Sequence, residues 1–187
     1  MAVQACVYCD CFEHWLLSAS PPVDLRVTRD EYGLPDLEAG DEARWETFCE
    51  WLEQCPCPHE DFTLLERALG SAGGMARIQT LLAQLHEDAT ARHPLLSRVI
   101  SQPGHGEDRL EAEDLERLRG ELDRVCVPSD WRARRWEEQD VSGHRREVPA
   151  EEARALVEGF LQDLRELVAA ARSVNKPLWL TRTSIAP

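Results

Sequence analysis

Between Pro149 and Arg172 the apolar residues Leu156, Phe160, Leu164, Leu167, Val168 and Ala171 recur mostly at intervals of three and four. That period places them along one side of an α-helix, the most constraining pattern in the chain. Pro149 suits the first turn, and Glu151 and Glu152 suit the positive end of the helix dipole. Such a stripe must be buried against other elements. A second amphipathic helix over 112–125, marked by Leu115, Leu118, Leu122 and Val125, supplies part of that surface. Short strand-like segments stand at both ends of the chain: VQACVYC at 3–9 and PLWLT at 177–181. The expected fold is therefore α+β, a small sheet of the N- and C-terminal strands with amphipathic helices on one face, in a single domain over 1–187.

Between these ends the pattern is more varied. Val23, Leu25 and Val27 alternate with polar neighbours and predict a half-buried strand at 23–29, followed by a loop to Gly40. Asp41 is a plausible N-cap for a helix over 41–54, with Trp45, Phe48, Cys49 and Leu52 at core spacing. Pro56 and Pro58 stop it. A short helix is expected over 61–69, ended by Gly70, and a longer one over 75–90 beyond Gly73-Gly74. His93-Pro94 ends the latter, with His86 and His93 in structural roles at its end; LLSRVIS at 95–101 reads as a strand. Residues 103–106 read as a turn. Residues 127–148 read as irregular chain tacked to the body by Trp131 and Trp136.

The chain carries 35 acidic against 21 basic residues, a net charge of −14. Phosphate contacts need clustered Lys and Arg, so a nucleic-acid surface is not expected. The acid is also clustered, with a local net of −10 over residues 30–61 and −5 over 107–123. The main basic run, from Arg132 to Arg146, has acids inside it. Twenty of the basic residues are arginine and one, Lys176, is lysine, which points to a GC-rich coding sequence. No apolar run reaches the ~18 residues of a membrane span. The start lacks the basic and long apolar regions of a secretory signal, so a cytoplasmic location is expected. The seven cysteines then read as reduced thiols or metal ligands.

Cys9 and Cys11 are two apart, as are Cys55, Cys57 and His59, and alternate residues of an extended chain face the same side. The prolines at 56 and 58 push the second group towards extended geometry. Two such prongs can supply a tetrahedral zinc site of three cysteines and a histidine, or of four cysteines. Simple burial as small apolar groups is the alternative, and it is the expectation for Cys6, Cys49 and Cys126. A thiol enzyme would need a base such as His14, His59 or His105, but no nucleophile, phosphate-loop or dinucleotide motif is present.

Glu42, Glu46, Glu50 and Glu53 fall on one stripe of the expected helix at 41–54. Like charges four apart cost a helix about 0.2–0.5 kcal/mol per pair, and only Arg44 is nearby to offset them. The stripe is either a solvated face or a surface for a cationic partner.

The string VYCDCFE near the start, CPHED some way on and KPLWL near the end together resemble a family of uncharacterised bacterial proteins. In that resemblance Cys9, Cys11, Cys57 and His59 are the matching positions, and no activity comes with it. The expectation is an acidic, non-enzymatic protein that binds a basic protein partner, in the manner of an immunity protein or inhibitor. Glu42, Glu46, Glu50 and Glu53 would make the contact, and Cys9, Cys11, Cys57 and His59 would hold a structural zinc. A Cys/His metalloenzyme is the first alternative. The second is a subunit of a larger complex, anchored by exposed tryptophans among Trp15, Trp131 and Trp136.

Overall fold

A computed structural model describes residues 2–38, 42–54, 56–85, 93–101, 107–125, 127–140 and 142–183. The expectations placed on Asp41, Cys55, His86, His105 and Cys126 lie outside the described residues. The architecture is α+β, with a mainly antiparallel four-stranded sheet, two small two-stranded sheets and amphipathic helices. The chain divides into two compact units, residues 1–6 with 66–187, and residues 7–65. It crosses between them within β1 (Ala2–Tyr8) and within β4 (Thr63–Ser71).

The four-stranded sheet has the order β4-β1-β8-β5, with β5 at Glu107–Leu110 and β8 at Leu178–Thr183. The first and last strands pair antiparallel in the register Ala5 with Leu180, as expected from the two ends of the chain. Val3, Ala5 and Val7 alternate as the buried positions of β1, which is the period-two pattern of a strand packed on one face.

In the larger unit the long helix forms as expected, as α5 (Ala150–Ser173), numbered after α2 (Ala72–Leu85), α3 (Pro94–Ser101) and α4 (Ala112–Arg124). Val157, Phe160, Leu164, Leu167 and Ala171 are buried, and α5 packs against α2, α4 and β8. Residues 95–101 are helical, not a strand. Pro94 begins α3, and its buried residues Leu95, Leu96, Val99 and Ile100 follow helical spacing. The carboxylate of buried Glu121 on α4 accepts the first amides of α3, Leu95 N at 3.3 Å and Leu96 N at 2.9 Å. Helix-starting amides have no partner within their own helix, so this distant cap determines where α3 begins.

Residues 127–148 are more ordered than expected. β6 (Trp136–Gln139) and β7 (Arg145–Val148) form a hairpin, and Trp131 and Trp136 are buried, joined by a 2.8 Å bond from Trp136 Nε1 to the Trp131 carbonyl. These two tryptophans are therefore not exposed anchors. Arg132, Arg134, Arg135 and Arg146 of the basic run pair with Glu151, Asp130, Glu147 and Glu138 respectively.

The expected helix over 61–69 is instead β4, preceded by a single 3-10 turn at Glu60–Phe62. Local helix propensity yields here to pairing with β1. Gly73 and Gly74 do not separate elements but lie in the first turn of α2, where Ser71 Oγ accepts the Gly74 amide at 3.1 Å. The positive φ of Gly70, +140°, permits the abrupt change from strand to helix.

In the smaller unit, β2 (Val27–Arg29) and β3 (Pro35–Leu37) form a hairpin, and α1 spans Glu42–Glu53. The strand expected at 23–29 is only its last three residues, and Val23 is fully exposed. Asp30 accounts for this hairpin within the stretch read as loop: its carboxylate accepts the Tyr32 and Leu34 amides at 2.9 and 2.8 Å. On α1 the buried residues are Phe48 and Trp51, whereas Trp45 is 51% exposed. Phe48 and Trp51 join Phe12, Leu25, Phe62 and three cysteines in a separate apolar cluster, and Trp51 Nε1 donates to the Ala19 carbonyl at 3.1 Å.

Candidate metal centre

Cys9 follows the last residue of β1 and is fixed by its amide, which donates to the Phe62 carbonyl at 2.7 Å. A turn begins immediately afterwards, closed by Leu16 N donating to Cys11 O at 2.8 Å. The first prong is therefore a strand end running into a turn, with Asp10 between the two thiols. The second prong follows α1. Pro56 and Pro58 exclude a helical continuation, and the Pro56 carbonyl accepts the Ser18 amide at 2.7 Å. The Phe62 amide returns to the His59 carbonyl at 3.2 Å and holds the end of the prong.

The two prongs meet. Cys9, Cys11, Cys57 and His59 each offer one ligand atom, and all of these atoms lie within 4.8 Å of one another. Cys9 Sγ is 3.4 Å from Cys57 Sγ, and His59 Nδ1 is 3.4 Å from both Cys11 Sγ and Cys57 Sγ. A disulfide is about 2.05 Å long, so the sulfurs are not bonded. With Zn–S near 2.3 Å and Zn–N near 2.0–2.1 Å, the edges of a tetrahedral site are about 3.8 Å between sulfurs and about 3.6 Å from sulfur to nitrogen. The three close pairs are within a few tenths of an ångström of those edges. The four residues can hold a metal ion.

The surroundings suit thiolates only if a cation joins them. Cys9, Cys11 and Cys57 are 3%, 4% and 5% exposed, and His59 is half-buried. Burial pushes the Cys9 thiol far above its ordinary range, against the backbone amide of Cys11 and reinforced by the neighbouring sulfurs. Burial likewise raises the Cys11 thiol, with Cys57 adding to the shift. A central divalent ion removes this penalty by supplying the missing positive charge. One donor is already aimed at a sulfur: the His59 amide approaches Cys57 Sγ at 3.4 Å.

Cys57 and His59 also border a cleft of 610 Å³ together with Leu34, Pro35, Leu52 and Phe62, and Pro56, Pro58, Glu60 and Asp61 complete it. Asp61 and Phe62 have φ of 46° and 57°, two successive left-handed residues without glycine. Each such position costs about 1–2 kcal/mol, and the bonds from Cys9 and to His59 hold it in place. The result leaves Asp61 exposed while its neighbour Phe62 is buried.

Glu42, Glu46, Glu50 and Glu53 are all exposed on α1. Glu42, Glu46 and Glu50 form no ion pair with a described residue. Trp15 is 65% exposed with a positive φ of 55°, and Leu16 beside it is also exposed. The cleft was not legible in the sequence, because Leu34 and Pro35 come from a segment read only as loop.

The chain matches no protein-family model, no curated protein and no solved structure. Among the described residues, no helix is long and apolar enough to cross a membrane.

Proposed function

We propose that the protein is a non-enzymatic binding protein whose residues 7–65 form a zinc-stabilised module for a basic protein partner. The carrying observation is the group of four donors, Cys9, Cys11, Cys57 and His59, within 4.8 Å of one another. Three sulfurs and one imidazole nitrogen suit zinc, and four protein ligands complete its tetrahedron. A closed site of this kind is structural, since catalysis requires an open position.

Charge supports the partner. Residues 7–65 carry 14 acidic residues against three arginines, a net of −11, and all the other residues together carry 21 acids against 18 bases. Outside the module most acids are engaged by arginines; within it Arg26 pairs with Glu38 and Arg29 with Glu13, while Glu42, Glu46 and Glu50 form no ion pair with a described residue. A concentrated negative surface steers a cationic protein into encounter and orients it. Glu42, Glu46, Glu50 and Glu53 on α1 are the contact residues in this reading, as an immunity protein or inhibitor would use them.

One observation favours the metalloenzyme alternative: Cys57 and His59 border the cleft. Native mass spectrometry of the full chain, purified without chelator, tests the leading reading. One zinc per chain, lost in Cys57→Ala/His59→Ala, is expected. A bare chain rejects the zinc, and metal spectroscopy showing three protein ligands plus water would transfer the reading to catalysis.

A further inference from the structure

The cleft beside the metal centre combines an apolar lining with acids that have no counter-charge. Leu34, Leu52 and Phe62 supply the apolar surface, and Glu60 and Asp61, consecutive in the chain, supply two carboxylates. Among the described residues neither Glu60 nor Asp61 makes an ion pair. Its 610 Å³ is within the range of ligand pockets and exceeds what a single small ion needs. The walls come from the β2–β3 hairpin, the end of α1 and the second ligand prong, so a metal held by Cys57 and His59 also fixes the shape of the cleft.

An occupant must therefore be apolar along its length and positively charged at the position of Glu60 and Asp61. Arginine has both properties. Its stem covers apolar surface such as that of the prolines, its flat guanidinium stacks on an aromatic face such as that of Phe62, and its fork donates to carboxylate oxygens. Lysine, a compact and strongly hydrated charge, matches the carboxylates but not the rings.

We propose that this cleft binds an arginine side chain presented by an extended basic segment of the partner protein. The inference rests on reading the protein as a binder of a basic partner, and it names the site and the residue recognised.

The test uses the zinc-loaded full chain and two defined probes, observed by NMR at the methyl groups of Leu34 and Leu52 and at the His59 ring. The first probe is the peptide acetyl-Leu-Arg-Leu-amide, compared with the same peptide carrying citrulline, which keeps the shape and removes the charge. The second is octa-arginine. Saturable shifts at Leu34, Leu52 and His59 are expected with the arginine peptide. Affinity is expected to fall by about tenfold or more with citrulline, and likewise in Glu60→Gln/Asp61→Asn. Asparagine tolerates the left-handed backbone at position 61, and unchanged zinc content and unchanged methyl spectra in the free state verify the fold of that variant. Equal binding of the citrulline peptide, or saturable binding unaffected by the double substitution, overturns the proposal. Octa-arginine that shifts only α1 resonances overturns the cleft but leaves the acidic-partner reading standing. Octa-arginine that shifts nothing overturns both.

Discussion

Cys9 Sγ lies 3.4 Å from Cys57 Sγ although 48 residues separate the two in the chain. With Cys11 and His59 they are the only contact set in the smaller unit, among the described residues, that has the donor chemistry of a metal site. A metal held there ties the end of β1 to the loop after α1 and supports the cluster of Phe12, Phe48, Trp51 and Phe62. Chelation is therefore expected to raise amide hydrogen exchange across 7–65 while the buried faces of α2, α4 and α5 stay protected. Cys9→Ser is expected to lower zinc affinity by more than the ~100-fold upper range for loss of an outer-shell partner. Exchange unchanged by chelator in a zinc-loaded sample would count against a structural ion.

The cap that Glu121 provides to α3 can be tested by substitution. Glu121→Leu removes both acceptors and leaves the Leu95 and Leu96 amides buried without partners, at a cost of about 1–3 kcal/mol. Glu121→Gln retains one carbonyl acceptor and is expected to cost less. Urea denaturation midpoints give the order wild type, Gln, Leu. A leucine variant as stable as wild type would show that α3 starts without this cap.

Glu138 gives the larger unit an acid-sensitive limb. Burial acts to raise its carboxyl, and the guanidinium of Arg77, together with that of Arg146, outweighs burial and holds it below the ordinary glutamate range. A group whose folded value is depressed contributes stability above its unfolded value, about 4.3, and loses it as the pH falls through the folded value. Stability is thus expected to decline below about pH 4.3, and the decline should be shallower in Glu138→Gln. Both arginines keep access to water, so that variant should cost less at neutral pH than the about 3–5 kcal/mol of a fully buried pair. Denaturation curves between pH 3 and 7 measure both effects.

Reversing charge on α1 separates binding from folding. Glu46 and Glu50 are exposed, and Glu46→Lys with Glu50→Lys keeps a like-charge pair between positions 46 and 50 but turns the repulsive spacings to Glu42 and Glu53 into opposite-charge pairs, each worth about 0.2–0.5 kcal/mol. Thermal stability is expected to hold or rise slightly, while binding of octa-arginine weakens and becomes less sensitive to salt. Retained affinity with the same salt dependence would remove α1 from the contact surface.

Period and spacing made several elements legible. The stripe from Leu156 to Ala171 marked α5, Leu115 to Leu122 marked α4, and the segments at the two chain ends paired as β1 and β8. The two Cys prongs were legible because their spacing is local and their prolines constrain it. What failed depended on distant partners. Residues 61–69 read as a helix because the strand partner of β4 is invisible locally, and 95–101 read as a strand because Glu121, more than 20 residues on, supplies the amide acceptors. The reading of α1 placed Trp45 in the core and passed over Trp51, since one helix offers several apolar faces and only packing selects the buried one.

The clasp between Cys9–Cys11 and Cys57–His59 has a further consequence by mass action. Any ion that binds the folded module and not the unfolded chain stabilises it in proportion to the logarithm of free-ion concentration, about 1.4 kcal/mol for each tenfold change. The stability of this module would then follow the supply of free metal as well as the amino-acid sequence.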